Sequence, residues 1–185
     1  GDIQKKLGLG DQVNAISGDF LNIHFDSCSF DYVVGKAFLH HLTHQQEFAY
    51  LQKAADILRK SGEARFSEPA VNSKILDQIR WIIPIPHGHP SILNKKAFEI
   101  WRLNDPHPIR DNSTSHFIEL GNNLFYETEI IPLGGLQRFH RFLPKGEFDR
   151  SYREVAFRLE KLLPQKLNLK IERAQTIIYK CPIKA

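Results

Sequence analysis

The sequence predicts a single α/β domain, on the strength of three observations. Short apolar runs bounded by glycine and aspartate alternate with segments whose apolar residues recur at helical spacing, as in a chain that lays helices on a sheet. One run, Phe30 to Gly35 (FDYVVG), is rich in aromatic and β-branched residues and is followed by a capped helix and then a further run, Ala64 to Ser67. With 42% of 185 residues hydrophobic and 25% charged, the chain suits one packed core and is short for two.

The elements follow in order. Asp2 to Leu7 reads as the last turns of a helix, closed by Gly8 or Gly10. Val13 to Ser17, set between Gly10-Asp11 and Gly18-Asp19, is expected to be a buried strand, and Phe30 to Gly35 the next. Thr43 opens a helix. Its hydroxyl can accept from the backbone while Gln46, three residues on, reaches back to complete a capping box. Phe48, Leu51, Ala55 and Leu58 supply the helical stripe and Gly62 is expected to end it. Ala64 to Ser67 forms a strand stopped by Pro69, and Asn72 to Ile82 a helix carrying Ile75, Leu76, Ile79 and Ile82.

Residues 84–115 are rich in proline and histidine, with one short helical pattern from Ala97 to Trp101. They fall within a wider stretch, 70–123, expected to form a substrate-side excursion or lid of the single domain 1–185. Leu124 to Ile131 and Leu136 to Phe142 read as a hairpin turning at Pro-Leu-Gly-Gly. Asp149 is expected to cap a helix whose apolar face is Tyr152, Val155, Leu159 and Leu162. Ala174 to Cys181 closes the fold as a strand.

Composition narrows the function. Lys+Arg 25 against Asp+Glu 21 leaves +4, spread along the chain without a polybasic tract, so neither nucleic acid nor an anionic membrane is expected as a partner. Cys28 and Cys181 stand far apart without CxxC spacing, which suits a reducing cytoplasm. No apolar run approaches the roughly 18 residues of a membrane span, and the first residues show no signal-peptide pattern. The helix entered midway and the absence of methionine suggest a fragment or processed segment.

Metal and nucleotide motifs are weak. His40-His41-xx-His44 and His87-Gly88-His89 bring imidazoles together but lack the cysteine or carboxylate ligands of a tetrahedral zinc site, so no metal is expected. Gly8-Leu9-Gly10 follows no strand and has Val13 where a third glycine would stand, which excludes a nucleotide loop. Asp19 lies after an expected strand, at the end where open α/β sheets bind ligands; a Gly-Asp turn followed by a core phenylalanine accounts for the same residues.

The motifs gain force from their order. SGDF (17–20), SFDYVVGKAFLHHL (29–42) and SGEARFSEP (61–69) together resemble the middle of a class I S-adenosylmethionine-dependent methyltransferase, from its third strand to the end of its fifth. The resemblance covers Asp2 to Pro69, and more loosely Ala174 to Lys180. It implies a partial Rossmann-like sheet, mostly parallel with an antiparallel C-terminal hairpin, drawn from the family strand order 3-2-1-4-5-7-6. It also implies S-adenosyl-L-methionine as cofactor and a small molecule as methyl acceptor. Asp19 would accept from the adenine amino group and Phe20 cover the ring. Lys36, Ala37 and Phe38 would pass beneath the methionine portion. Leu39-His40-His41-Leu42 matches the family's hydrophobic-His-His-hydrophobic run, and Glu68-Pro69 its rim, placing His40, His41 and Glu68 on the substrate side. Glu68 would orient the acceptor or cap a helix.

Lys36 departs from the family, which favours a small or polar residue there; a cation near a sulfonium is repulsive unless its side chain points away. The family's glycine-rich loop and the acidic residue ending its second strand have no counterpart among these residues. The expectation is therefore a contracted sheet, or one completed by an N-terminal segment or a second copy, with weak cofactor binding by this chain alone. No catalytic residue is named, because aligning nucleophile and methyl group can supply up to roughly 7–11 kcal/mol. A non-catalytic relative acting as a binding or interaction subunit completed by a partner is the first rival reading. A dehydrogenase-like nucleotide enzyme is the second, disfavoured by the Leu39–Leu42 run.

Overall fold

The computed structural model describes Gly8 and residues 12–82, 84, 88–105, 110–143 and 146–183. β1 (Phe30–Lys36) leads through a 3-10 turn (Leu39–His41) into α1 (His44–Ile57), and β2 (Leu58–Pro69) follows without a loop. Two short helices, α2 (Lys74–Arg80) and α3 (Lys95–Leu103), precede α4 (Thr114–Asn122) and β3 (Phe125–Leu133). A 3-10 segment (Gln137–Phe142), α5 (Glu147–Glu160) and α6 (Gln165–Ile171) lead to β4 (Ala174–Pro182).

The capping box forms as the residue types require. Thr43 accepts from the Gln46 N–H, and the Gln46 side chain accepts from the Thr43 N–H at 3.0 Å. Gly62 does not end α1. It lies inside β2, where a Cβ would meet the Arg59 and Asp31 carbonyls at 3.0 and 3.1 Å, at the bulge that resets the β1–β2 register between Phe30 and Tyr32.

Among the described residues four strands form one sheet, in the order β1-β2-β4-β3. β1 and β2 are parallel, while β4 runs antiparallel to β2 on one side and β3 on the other. Three strands thus share one direction. Strand for strand, this is the 4-5-7-6 end of the order named above.

Alternation along the strands gives the sheet one packed face. Val33 and Gly35 of β1, Ala64 and Phe66 of β2, Ile177 and Tyr179 of β4, and Phe125 and Ile130 of β3 meet Leu51 and Ala55 of α1 and Phe117 of α4. Gly35 must be small there, since a Cβ would come within 2.7 Å of the Phe66 ring. Each fully buried large apolar side chain in this cluster contributes about 1.5–3 kcal/mol. The opposite face is open around β1. Tyr32 and Val34 are 59% and 73% exposed, and Arg65–Glu63 and Lys180–Glu129 ion pairs of 2.6 and 2.8 Å decorate the surface beside them.

Several expectations are corrected. Val13 to Ser17 forms no strand: Val13 and Ile16 are exposed and the run has no place in the sheet, so no contracted sheet forms through it. Leu136 to Phe142 is not a strand either. The buried Glu160 carboxylate accepts the N–H groups of Leu136 and Gln137 at 2.6 and 2.9 Å and winds the segment into a 3-10 turn. The antiparallel partner of β3 is therefore β4. Gly146, not Asp149, stands at the cap of α5; Asp149 sits in the first turn and pairs with Arg153 and His140. Because Glu160 must face inward, α5 buries Ala156 and Glu160 while its Val155 and Leu159, and Leu162 just beyond its end, face outward. The helical reading of Asp2 to Leu7 lies outside the described residues, as does His87.

Candidate functional site

The tip of β1 is held by groups distant in sequence. After Lys36 the chain turns at Ala37, whose left-handed φ of +51° is kept by its N–H donating to the Ser67 carbonyl at 2.8 Å. Lys36 pairs with Ser67 in the sheet, so the next β2 residue, Glu68, projects into the core face just where β1 has ended. Its carboxylate, buried, caps the following turn. Oε1 accepts from the N–H groups of Phe38 and Leu39, both at 2.9 Å, and Oε2 from the His40 N–H at 3.3 Å, with His40 Nδ1 at 2.7 Å. The first N–H groups of a helical turn lack intrahelical partners and carry partial positive charge, so a carboxylate belongs there.

Arg110 closes the other end. Its Nη1 donates to the Leu39 and Leu42 carbonyls at 2.6 and 3.0 Å, and its Nη2 to Glu47 Oε1 at 2.6 Å. Both charged side chains are almost fully buried, at 1% and 0% exposure. His116 Nε2 adds a contact of 2.9 Å to Glu47 Oε2. The Leu39–Leu42 run is thus clamped at its amide end by Glu68 and at its carbonyl end by Arg110. His40 lies beside a cleft, and the exposed His41 ring packs on it at 4.1 Å.

Asp19 and Phe20 lie against the outer side of α1, near this tip. Asp19 Oδ1 accepts from the Leu21 N–H at 3.1 Å and the Tyr50 hydroxyl at 3.0 Å, and Oδ2 from Asn22 Nδ2 at 2.9 Å. Desolvation and the Asp19 carboxylate raise the Tyr50 pKa, so its hydroxyl remains the donor. Tyr50 stacks on Phe20 at 5.2 Å and meets Phe38 at 4.9 Å, so one tyrosine joins the Asp19 loop to the β1 tip. Lys36 falls on the sheet face of Val34 and Tyr32, opposite the face covered by α1.

On the other side of His40 opens a cleft of about 1020 Å³, at the ends of β2 and β3 and the start of β4. Trp81 and Trp101 form one wall, their rings 5.4 Å apart and each packed on Phe98 and on the buried His89. Arg138, Phe139, Phe142 and Arg173 line another part. Behind that wall a buried polar cluster links three elements: Asn72 and Thr114 both donate to Glu172 Oε1, and Thr114 also contacts Gln175. Burial pushes the Glu172 pKa up to about 7, against hydrogen bonds from Thr114 and Asn72 and the nearby Arg138 charge, which pull it down.

Among the described residues, His44, Glu47 and His116 bring potential metal-ligand atoms within 4.8 Å of one another. The Arg110 guanidinium, 2.6 Å from Glu47 Oε1 and 3.3 Å from His116 Nε2, already places a fixed positive charge in that space. The geometry is that of a buried ion-pair hub.

The structure therefore brings Asp19, Phe20 and Phe38 around one tyrosine, and His40 and Glu68 together at the adjoining turn. Sequence reasoning passed over Tyr50, Arg110, Arg138 and Arg173. Arg110 acts on carbonyls 71 and 68 residues away, and nothing in its own neighbourhood announces that.

No protein-family model matches this sequence, and no curated protein matches it. Solved structures do. A SAM-dependent methyltransferase from Archaeoglobus fulgidus is similar over 96% of this chain and 72% of its own, with 13% identity and a TM-score of 0.52. Geranyl diphosphate C-methyltransferase from Streptomyces coelicolor A3(2) is similar over 97% of this chain and 59% of its own, at 12% identity and 0.53. The [4+2]-cyclase SpnF is similar over 99% and 61%, also at 12% and 0.53. The chain has the class I methyltransferase fold. A cyclase among these neighbours illustrates why the reaction must be argued from the site.

Proposed function

We propose that this chain is an S-adenosylmethionine-dependent methyltransferase, or a fragment of one, acting on a small molecule. The observation that carries the reading is the clamped Phe38–Leu42 run, with Asp19, Phe20 and Tyr50 on one side and the cleft beside His40 on the other. Asp19, Phe20, Lys36, Ala37 and Phe38 would hold the cofactor. The fit is supported by Asp19 Oδ2, which among the described residues accepts from Asn22; a carboxylate oxygen can accept more than one hydrogen bond. It is supported also by Lys36 standing on the sheet face away from α1, which separates its charge from the buried side of the tip.

Bound there, S-adenosylmethionine would supply a methyl group on a sulfonium. The chain's own part is positional. Glu68 and Arg110 keep the β1 tip rigid, His40 marks the boundary between the two sides, and the cleft walls orient the acceptor and exclude water. Such alignment can supply about 7–11 kcal/mol without a strong base. Among the described residues the outer edge of β1 is unpaired, and it and the exposed Tyr32 and Val34 would be covered by further strand and helix, from the same polypeptide or a second copy. The same bare face supports a second reading, a non-catalytic methyltransferase-like subunit completed by a partner chain. No helix among the described residues is long and apolar enough to cross a membrane, and with both cysteines unpaired the reading is of a cytoplasmic protein.

Titrating the chain with S-adenosylhomocysteine while recording amide NMR spectra tests the proposal. Shifts centred on Asp19, Phe20 and Lys36–Phe38, with affinity weaker than micromolar, are expected, and Asp19→Ala should weaken them. Absence of those shifts at millimolar ligand would remove the cofactor reading and leave the interaction-subunit alternative, which light scattering would then support by a stable dimer.

A further inference from the structure

The cleft beside His40 also specifies what kind of acceptor it would take. Resting on the methyl-transfer reading of that cleft, we infer that the acceptor is an amphiphile with an apolar ring or short alkyl body and one terminal anionic group, a carboxylate or phosphate, taken by Arg138 and Arg173.

Both arginines are set on rigid backbone. Arg173 is the last residue before β4; its N–H donates to the Leu133 carbonyl at 3.1 Å and its carbonyl accepts from Ala70 at 2.9 Å, so the ends of β2 and β3 fix it. Arg138 stands in the 3-10 turn that Glu160 winds, and its Nη2 donates to the Glu172 carbonyl, one residue before Arg173, at 2.6 Å. That bond brings the Arg138 guanidinium to the backbone beside Arg173. Guanidinium groups carry five donors in a planar fork that matches carboxylate and phosphate oxygens, so one side chain can hold an anchoring bond and an anion together.

The charge balance points the same way. Lysine and arginine outnumber aspartate six to three around the cleft. Two of the cations have nearby carboxylates, Arg80 with Asp77 at 2.8 Å and Arg110 with Glu47 at 2.6 Å.

The other wall suits an apolar body. Trp81 and Trp101 are braced by Phe98 and His89, so an aromatic surface is in place before anything binds. At about 1020 Å³ the space accommodates a compound of this size. With the anion at the arginines, the opposite end of the acceptor would face His40 and the β1 tip.

Calorimetry on the full chain without cofactor tests this, using indole-3-acetate, phenyl phosphate and the neutral indole-3-acetamide as probes. The anions should bind at least about tenfold tighter than the amide. Arg173→Gln, which alters an exposed side chain, should reduce that preference several-fold, and Arg138→Gln with Arg173→Gln should abolish it, with circular dichroism confirming the fold. Equal binding of acid and amide would overturn the inference, as would a preference that Arg173→Gln leaves unchanged. Anion preference without homocysteine-analogue shifts at Asp19 would sink the methyl-transfer reading and leave this site standing. The reverse result would sink the anion site alone.

Discussion

The Glu68 carboxylate accepts the Leu39 backbone N–H at 2.9 Å, joining the end of β2 to the tip of β1. The same group takes the N–H of Phe38 and of His40, so three amides of one turn depend on one side chain. Glu68→Ala should cost about 3–5 kcal/mol, since each buried donor left unpaired costs roughly 1–3 kcal/mol and part of the turn can relax. Glu68→Gln, which keeps one acceptor oxygen, should cost less than half as much. Urea unfolding gives the two values. Hydrogen exchange should speed up at Phe38, Leu39 and His40 specifically, and uniform exchange across the sheet would contradict the capping role.

Arg110 and Glu47 make the complementary prediction. Removing one member of a pair this deeply buried strands the other charge, so Arg110→Met should destabilise by about 3–5 kcal/mol. Replacing both, Arg110→Met with Glu47→Met, should recover part of that loss, because the two apolar side chains need no partner themselves while the Leu39 and Leu42 carbonyls still lack the Arg110 donor. The double-mutant cycle in chemical denaturation is the measurement, and simple additivity would show that the two residues do not act as a unit.

Stability should depend on pH through Glu172. Its carboxyl is raised to about 7 in the fold, above its unfolded value near 4.5, so between those values the folded chain holds a proton that the unfolded chain has lost. The stabilisation is complete below the unfolded value and disappears as pH rises through about 7. On the order of 3 kcal/mol is at stake, from about 1.4 kcal/mol per pKa unit. Denaturation midpoints should therefore fall between pH 5 and 8 by this contribution. Glu172→Gln should flatten the slope, and an unchanged slope would assign the dependence to other groups.

Ala37 predicts a gain. It holds a left-handed φ of +51° that costs an L-residue roughly 1–2 kcal/mol and glycine almost nothing. Ala37→Gly relieves that strain but frees the unfolded chain, leaving a net stabilisation of about 0.5–1 kcal/mol. A melting temperature raised by a few degrees is expected; a lowered one would mean that the methyl group packs more tightly than its conformation costs.

The helix at α1 was legible because a capping box acts within three residues, and Thr43 and Gln46 contain all of it. β1 and β4 were legible as runs of β-branched and aromatic residues. α5 was found but turned the wrong way, because the stripe of Val155, Leu159 and Leu162 outweighs Ala156 on any periodicity count, while the deciding residue is the polar Glu160. Leu136 to Phe142 was misread for the same reason: its local composition suits a strand, and the acceptor that coils it arrives from α5. At the candidate site, Asp19, Phe20, Phe38 and His40 were proposed from motif order. Their meeting through Tyr50 was not, since a tyrosine on a helix surface carries no sign of its partner 31 residues earlier.

Local interactions were written in the sequence itself: the alternation of strand and helix, the Thr43 cap, the Leu39–Leu42 run, the absence of any long apolar span. Which groups close around that run, and where the cleft and its arginines lie, depended on the pairing of β2 with β4 and the seating of Arg110. Those are contacts between residues tens of positions apart, and their energy exists only once the sheet has brought them within hydrogen-bonding distance.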